Sequence, residues 1–318
     1  MNEIAIGTMI RKEREAQGLT QHMLCAGICD ITTLSRLETG QTVPTAHKLK
    51  ALLQRLGLPE EKAYALVGDK ELRFSALEKE LNDLHIRYER AGNHDRAEIR
   101  AKAKEIYEEL STLTEGKDRI AQQLILRSKY LLGTEEGPYS LEEGLDILLR
   151  AIRLTSPKFD PDYIGKGFYT ETEVKLINSI AVLYLRNGKH HDAIDVLKQL
   201  LKYLQTRTRR VAPDRAHIPL VALNYARELC AVTRYSEAIE IAEYARRISI
   251  NHGYLLFLPD LFAVLAECHY FLGEQKKSRY YYRLAFAFYE GIEDSRSKKT
   301  IQTEAKERLG LDLKMAEE

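Results

Sequence analysis

Cysteine is scarce: Cys25, Cys29, Cys230 and Cys268 are the only four in 318 residues, and apart from the first pair they lie far apart in sequence. That is too few to staple a secreted fold. No histidines or further cysteines stand at ligand spacing, so no metal site is expected, and Cys25 and Cys29, four apart around a buried turn, read as small apolar fillers of a cytosolic protein. Eight prolines and 18 glycines are few for this length, which leaves room for long uninterrupted helices. Net charge is nearly absent as well. A value of +1 speaks against a general nucleic-acid coat or a binder of membrane surfaces, so DNA contact would have to come from a local patch repeated by dimerisation. The N-terminal stretch MNEIAIGTMIRKERE holds no apolar run suited to export, and the greasiest segment, Tyr254 to Ala266, is broken by Pro259 and Asp260. No membrane span is expected, and the cytoplasm is the expected location.

Catalytic signatures are missing too. There is no nucleophile elbow, no phosphate-cradling glycine loop and no helical His pair with a Glu between. His190-His191-Asp192, close to Gly188, reads as a solvated turn rather than a metal site. The expectation is a protein that is not an enzyme and carries no cofactor or metal.

What is present begins with 44% hydrophobic and 30% charged residues, a folded and highly charged chain long enough for two domains. Between Leu19 and Gly40 the sequence LTQHMLCAGICDITTLSRLETG spells two short helices and a tight turn. Thr20 is placed to cap the first helix, Met23, Leu24 and Ile28 supply its apolar contacts, and Gly27 stands where the chain bends. Asp30 is the N-cap of a second helix, Ile31–Glu38, which buries Leu34 and Leu37 and stops at Gly40. Small polar Thr32, Thr33 and Ser35 followed by Arg36 suit the floor of a DNA major groove.

Around these two helices the pattern continues. Ile4 to Gln17 forms a first helix with Ile6, Met9 and Ile10 inward. Pro44-Thr45 opens a fourth, with Leu49, Leu52, Leu53 and Leu56 on its inner face, closed by Gly57. Pro59, Glu60 and Glu61 open a fifth. Residues 1–68 thus form a five-helix unit carrying eight Lys/Arg against seven Asp/Glu. One such copy should bind DNA weakly, and a symmetric dimer is the expected working form.

Gln21, the Gly27-Ile28-Cys29 turn and the ending Thr33-Leu34-Ser35-Arg36-Leu37-Glu38-Thr39-Gly40 resemble the helix-turn-helix of XRE (phage-repressor) type. The turn is one residue shorter, as in regulators of the peptide-pheromone-responsive RRNPP family. The resemblance implies a structural ion pair between Arg14 and Glu38. It also implies base-edge contacts from Ile31, Thr32 and Arg36, with Gln21, Thr33 and Ser35 gripping phosphates of an inverted-repeat operator in double-stranded DNA.

Beyond Gly68, residues 69–318 read as paired helices: 72–91 with 95–110, 118–132 with 141–154, 171–187 with 190–205, 218–233 with 236–250, and 257–272 with 275–290. A last helix, Ser297–Leu309, has the look of a cap exposing Lys298, Lys299, Glu304, Lys306, Glu307 and Arg308. The segment Ser156–Phe168 is the one long irregular connection, read as a surface loop. Ala181, Gly188 and Ala193 stand seven and five apart; Ala226, Thr233 and Ala238, and Ala266, Gly273 and Ser278, repeat the spacing. Gly92 and Ala97 follow it with a bulkier His85 in the first slot. This grammar resembles the tetratricopeptide repeat, in elongated and irregular form. The fold class is therefore all-α: a helix-turn-helix domain followed by an α-solenoid of tetratricopeptide-like hairpins.

In such hairpins the residues three, six, ten and thirteen places before the turn line a groove. By that count, and taking in Asn224 beside Leu223, the candidate peptide-binding residues are Asn82, Gln123, Arg127, Tyr130, Asn178, Val182, Leu223, Asn224, Arg227, Glu267 and Tyr270. Carboxamides can pair both ways with a peptide backbone, arginines can fork onto a carboxylate, and tyrosines add flat apolar faces. Resemblance to the RRNPP family implies a homodimeric quorum-sensing regulator whose repeats bind a short linear peptide and reset the spacing of the DNA-binding domains. A rival reading is a scaffold that docks a larger protein, marked by a helix-sized apolar groove.

Overall fold

The computed structural model describes residues 3–42, 44–58, 69–90, 93–134, 136–207 and 217–313. Every regular element among them is a helix. Helices α1 (Glu3–Ala16), α2 (Gln21–Cys25), α3 (Ile31–Glu38) and α4 (Ala46–Leu56) are followed by α5 (Asp69–Arg90), α6 (Asn93–Leu113), α7 (Arg119–Leu132), α8 (Leu141–Thr155) and α9 (Glu171–Arg186). Then come α10 (His190–Arg207), α11 (His217–Ala231), α12 (Tyr235–His252), α13 (Leu258–Phe271), α14 (Gln275–Gly291) and α15 (Ser295–Leu309). The expected fifth short helix after Pro59, the boundary near Gly68 and the turn at Gly92 lie outside the described residues. Two compact units are present, residues 1–183 with 206–214 and residues 184–205 with 215–318.

In the first unit, α1 to α4 close around their own core. Ile6, Ile10, Leu24, Leu34, Leu37, Leu49, Leu52, Leu53 and Leu56 have no exposed surface, each leucine contributing about 2 kcal/mol of burial. The caps act where the residue types place them. Thr20 accepts from the Met23 amide, and Asp30 from the Thr33 amide at 2.7 Å. Gly7, on α1, is as tightly constrained as any core residue, because a Cβ there would come within 1.8 Å of the Leu37 carbonyl oxygen. A second cluster, Phe74, Leu77, Leu81, Leu84, Ile99, Ala103, Ile106 and Leu110 with Ala121, Leu124 and Leu132, joins α5, α6 and α7. Ile120, at the start of α7, packs against both clusters.

The segment before α9 is more ordered than a plain loop, for it contains a 3-10 turn over Pro161–Lys166 and buries Ile164 and Phe159. In the second unit the repeat grammar is physical. Ala226, Ala238, Ala266 and Ser278 are fully buried, and the Ser278 hydroxyl donates to the Ala266 carbonyl at 2.8 Å. The turn residues between them adopt left-handed backbone, Thr233 at φ 63° and Gly273 at φ 76°. Helix α15 is more than an exposed cap: Glu304 and Arg308 turn inward, Arg308 donating to the Tyr282 hydroxyl at 2.7 Å and pairing with Glu267 at 2.9 Å.

Thr233 is a β-branched residue held where glycine belongs, at a cost of about 1–2 kcal/mol. Part of that is offset in glycine by its larger unfolded-state entropy. Thr233→Gly should therefore stabilise the protein by about 0.5–1 kcal/mol, read as a higher urea midpoint at unchanged slope.

Candidate DNA interface and ligand-facing residues

The recognition helix is presented by a buried ionic scaffold. Arg14 donates to Glu38 through Nε at 2.6 Å and Nη2 at 3.0 Å, and through Nη1 to the Leu19 carbonyl at 2.8 Å, which clamps α1 to the end of α3. Glu38 also takes the Gln21 amide at 2.8 Å, so this carboxamide helps to orient the scaffold. On α3, Ile31, Thr32 and Arg36 are exposed, while Thr33 and Ser35 are half-buried and the Thr33 hydroxyl is bonded to Asp30. Thr32 and Arg36, four apart, share one face of the helix.

The cations of α4 point elsewhere. His47 and Lys48 meet Asp118 at 2.9 and 3.6 Å, and Lys50 meets Glu78 at 3.2 Å. Burial alone would raise the Asp118 carboxyl, but its hydrogen bond and electrostatic contact with His47, then the Ala121 amide and the charge of Lys48, hold it down at about 2. Arg55 is 2% exposed and reaches four oxygens: the carbonyls of Leu24 (2.9 Å), Ala26 (2.6 Å) and Thr155, and the Glu173 carboxylate (3.2 Å). Neither Arg55 nor Glu173 was among the sequence candidates. The signals were there: Arg55 adjoins the leucine face of α4, and Thr170-x-x-Glu173 is a capping box, with Thr170 N bonded to Glu173 at 2.6 Å and Glu173 N to Thr170 at 3.3 Å.

The residues picked out by the groove count differ in exposure from hairpin to hairpin. On α9, Lys175 and Val182 are half-buried and Asn178 is 7% exposed. Gln123 leaves the set: it is 1% exposed, and its amide donates to the Ala151 carbonyl at 2.9 Å and the Thr155 hydroxyl at 2.6 Å. Tyr130 is likewise interior, 8% exposed and stacked over Gly144, where a Cβ would come within 3.2 Å of its ring. Asn82 and Arg127 do meet, at 3.3 Å.

In the second unit Leu223 is buried, and its neighbour Asn224 takes the half-buried place, one residue further round the helix. Arg227 is exposed but paired with Asp260. Glu267 is tied to Arg308, whose guanidinium also lies 5.9 Å from the Tyr270 ring centroid. His190, expected in a solvated turn, bonds the fully buried Glu228 carboxylate at 2.5 Å. Cys230 and Cys268, distant in sequence, come together, and the Cys268 contact together with burial raises the Cys230 thiol far above its ordinary range.

His85 shows how the polar interior of the first unit is protonated. Its Nε2 bonds the Ser128 hydroxyl at 2.8 Å, which also accepts from Tyr107 at 2.8 Å. Burial first, then the charges of Arg127 and Lys175, push its pKa down to about 3. Because the folded value lies below the unfolded 6.5, stability should fall as pH drops from about 6.5 towards 3. The loss should reach roughly 2 kcal/mol at pH 5. His85→Gln should flatten that acid limb, measured as thermal midpoint against pH from 7 to 4.

Comparison with known proteins agrees with this anatomy. Residues 10–62 match the helix-turn-helix model and residues 163–309 the RNPP family C-terminal domain. Among solved structures, Bacillus thuringiensis PlcR in complex with the peptide PapR7 and DNA aligns over 93% of this chain and 98% of its own, at 22% identity and a TM-score of 0.55. Its apo form aligns over 93% and 97%, at 21% identity and a TM-score of 0.52. At these identities the likeness is one of fold. No curated protein sequence matches the chain. The chain thus carries an amino-terminal helix-turn-helix and, over residues 163–309, a match to the RNPP family C-terminal domain.

Proposed function

We propose that the chain is a transcription regulator that reads an inverted-repeat operator as a homodimer and binds a short linear peptide through its repeat domain. The observation that carries the reading is the exposed face of α3, Ile31, Thr32 and Arg36, held out by the buried Arg14–Glu38–Gln21 scaffold. PlcR, crystallised with a peptide and DNA, has the same order of elements, which supports assigning the two tasks to the two domains.

The peptide-facing candidates are Lys175, Asn178 and Val182 with Asn82 and Arg127 in the first unit, and Asn224 and Arg227 in the second. Polar groups able to pair with a peptide backbone favour an extended peptide over the docked helix of a scaffold, which would ask for an apolar lining. Among the described residues no helix is long and apolar enough to cross a membrane, consistent with a cytoplasmic regulator. We read the chain as a binding protein and not an enzyme.

The test has two parts, both on the full chain. A duplex selected from a random pool by the wild type should bind Arg36→Ala at least tenfold more weakly, a loss of about 1–3 kcal/mol, with binding to unrelated duplexes far less affected. Short peptides captured from spent culture medium and identified by mass spectrometry should be lost on Asn178→Ala. Full retention of sequence preference by Arg36→Ala would remove α3 as the reading helix, and capture of a protein in place of a peptide would restore the scaffold reading.

A further inference from the structure

The shortest helix of the DNA-binding domain is completed by the repeats. Helix α2 spans five residues, too few to hold itself; the His22 and Cys25 carbonyls accept from amides of the turn that follows. Two of the oxygens at this end, those of Leu24 and Ala26, are taken by Nη1 of Arg55 at 2.9 and 2.6 Å. The guanidinium is planar, so fixing its other edge fixes this one. That other edge is held by the Thr155 carbonyl and the Glu173 carboxylate, 100 and 118 residues away in sequence.

Glu173 is itself immobilised. With no exposed surface, it accepts from the hydroxyls of Thr155 at 2.6 Å and Ser156 at 2.7 Å and from the Thr170 amide at 2.6 Å. Gln123 braces Thr155 from α7. The turn of the helix-turn-helix meets the same place: Gly27, at φ 72°, lies so close to α8 that a Cβ would stand 2.4 Å from the Cα and carbonyl oxygen of Thr155. The end of α2 and the turn leading to α3 are thus shaped by the end of α8 and the start of α9.

We propose that Glu173 is a positioning residue for DNA reading: acting through Arg55, it sets the angle between α2 and α3, and so the pose in which Ile31, Thr32 and Arg36 meet base edges. This rests on the DNA-reading function proposed above. It makes the amino-terminal helices an incomplete reading head without residues 155–173.

The experiment uses the full chain and Glu173→Gln, which keeps the side chain's size, removes its charge and turns an NH2 group towards the donors that the carboxylate satisfied. Binding is measured to the duplex selected by the wild type from a random pool and to an unrelated duplex, each over a range of salt. Affinity for the selected duplex should fall about tenfold, while non-specific affinity and its salt slope stay the same, because no phosphate contact is touched. Gly27→Ala should give the same split.

Thr155→Val keeps the carbonyl that Arg55 needs and loses the hydroxyl that donates to Glu173 and accepts from Gln123. It is the milder probe should Glu173→Gln fail to fold, with an expected loss in specific affinity of about threefold. A lowered melting temperature with an unchanged ratio of specific to non-specific binding, in Glu173→Gln or in Thr155→Val, would overturn the proposal and leave the pair a stabilising contact only. Failure of the wild type to select any duplex would instead bring down the DNA-reading function, and this proposal with it.

Discussion

One buried guanidinium organises the first unit. Arg55 sits among leucines with 2% of its surface exposed, facing an acid with none. Taking both charges out of water costs several kcal/mol each, which Coulomb attraction alone does not reliably repay. Here carbonyls also take N–H groups from both Nη atoms of Arg55, and hydroxyls and an amide meet Glu173, while Nε of Arg55 is buried without a hydrogen-bond partner among the described residues. An apolar pair of the same volume could hold the helices together as well. What it could not do is select one arrangement, because hydrophobic contact is non-directional and a forked donor is not. The pair is better understood as fixing geometry than as adding stability.

The same economy explains the weak charge of the DNA-binding helices. Of the eight Lys and Arg in the first 68 residues, Lys48, Lys50 and Arg55 are engaged by acids at 118, 78 and 173, Arg14 by Glu38 and Arg11 by Glu15. Arg36 and Lys12 remain exposed on the described helices. With so few cations left for phosphates, the proposed DNA reading asks the exposed face of α3 for discrimination and the proposed dimer for affinity, by doubling the contacts rather than by adding charge to one copy.

How far these features could be read beforehand follows from the physics of each signal. Helix extents were legible because they rest on long apolar periodicities and on local caps: the expected 141–154 and 171–187 became Leu141–Thr155 and Glu171–Arg186. Turn residues were legible because a left-handed backbone asks for glycine, or tolerates Thr233 at a cost. Side-chain facing was less so. One residue turns a helix by about 100°, so the count that placed Leu223 outward put it in the core and left Asn224 half-buried. Gln123 was misplaced for another reason: a carboxamide suited to a peptide backbone suits the open carbonyl at the end of a neighbouring helix equally well. Arg55 could be placed beside the leucine face of α4 but not as a junction, because its partners lie 100 and 118 residues away, a contact that no local period records.

Helix α9 carries both kinds of polar residue within two turns. Glu173 is fully committed to Arg55 and the hydroxyls around it, whereas Lys175, two residues on, is half-buried near the opposing charges of Arg127, Glu171 and Glu78, and its pKa is lowered chiefly by burial. Lys50 of α4 belongs to the same charge cluster, through its pair with Glu78 and its repulsion of Lys175. A helix is stiff along its backbone hydrogen bonds, rising 1.5 Å per residue, so displacing the Lys175–Val182 stripe without displacing Glu173 would require breaking the first turn that the Thr170–Glu173 box closes. In this fold, the proposed ligand-facing residues Lys175, Asn178 and Val182 and the proposed positioning residue Glu173 are parts of one helix.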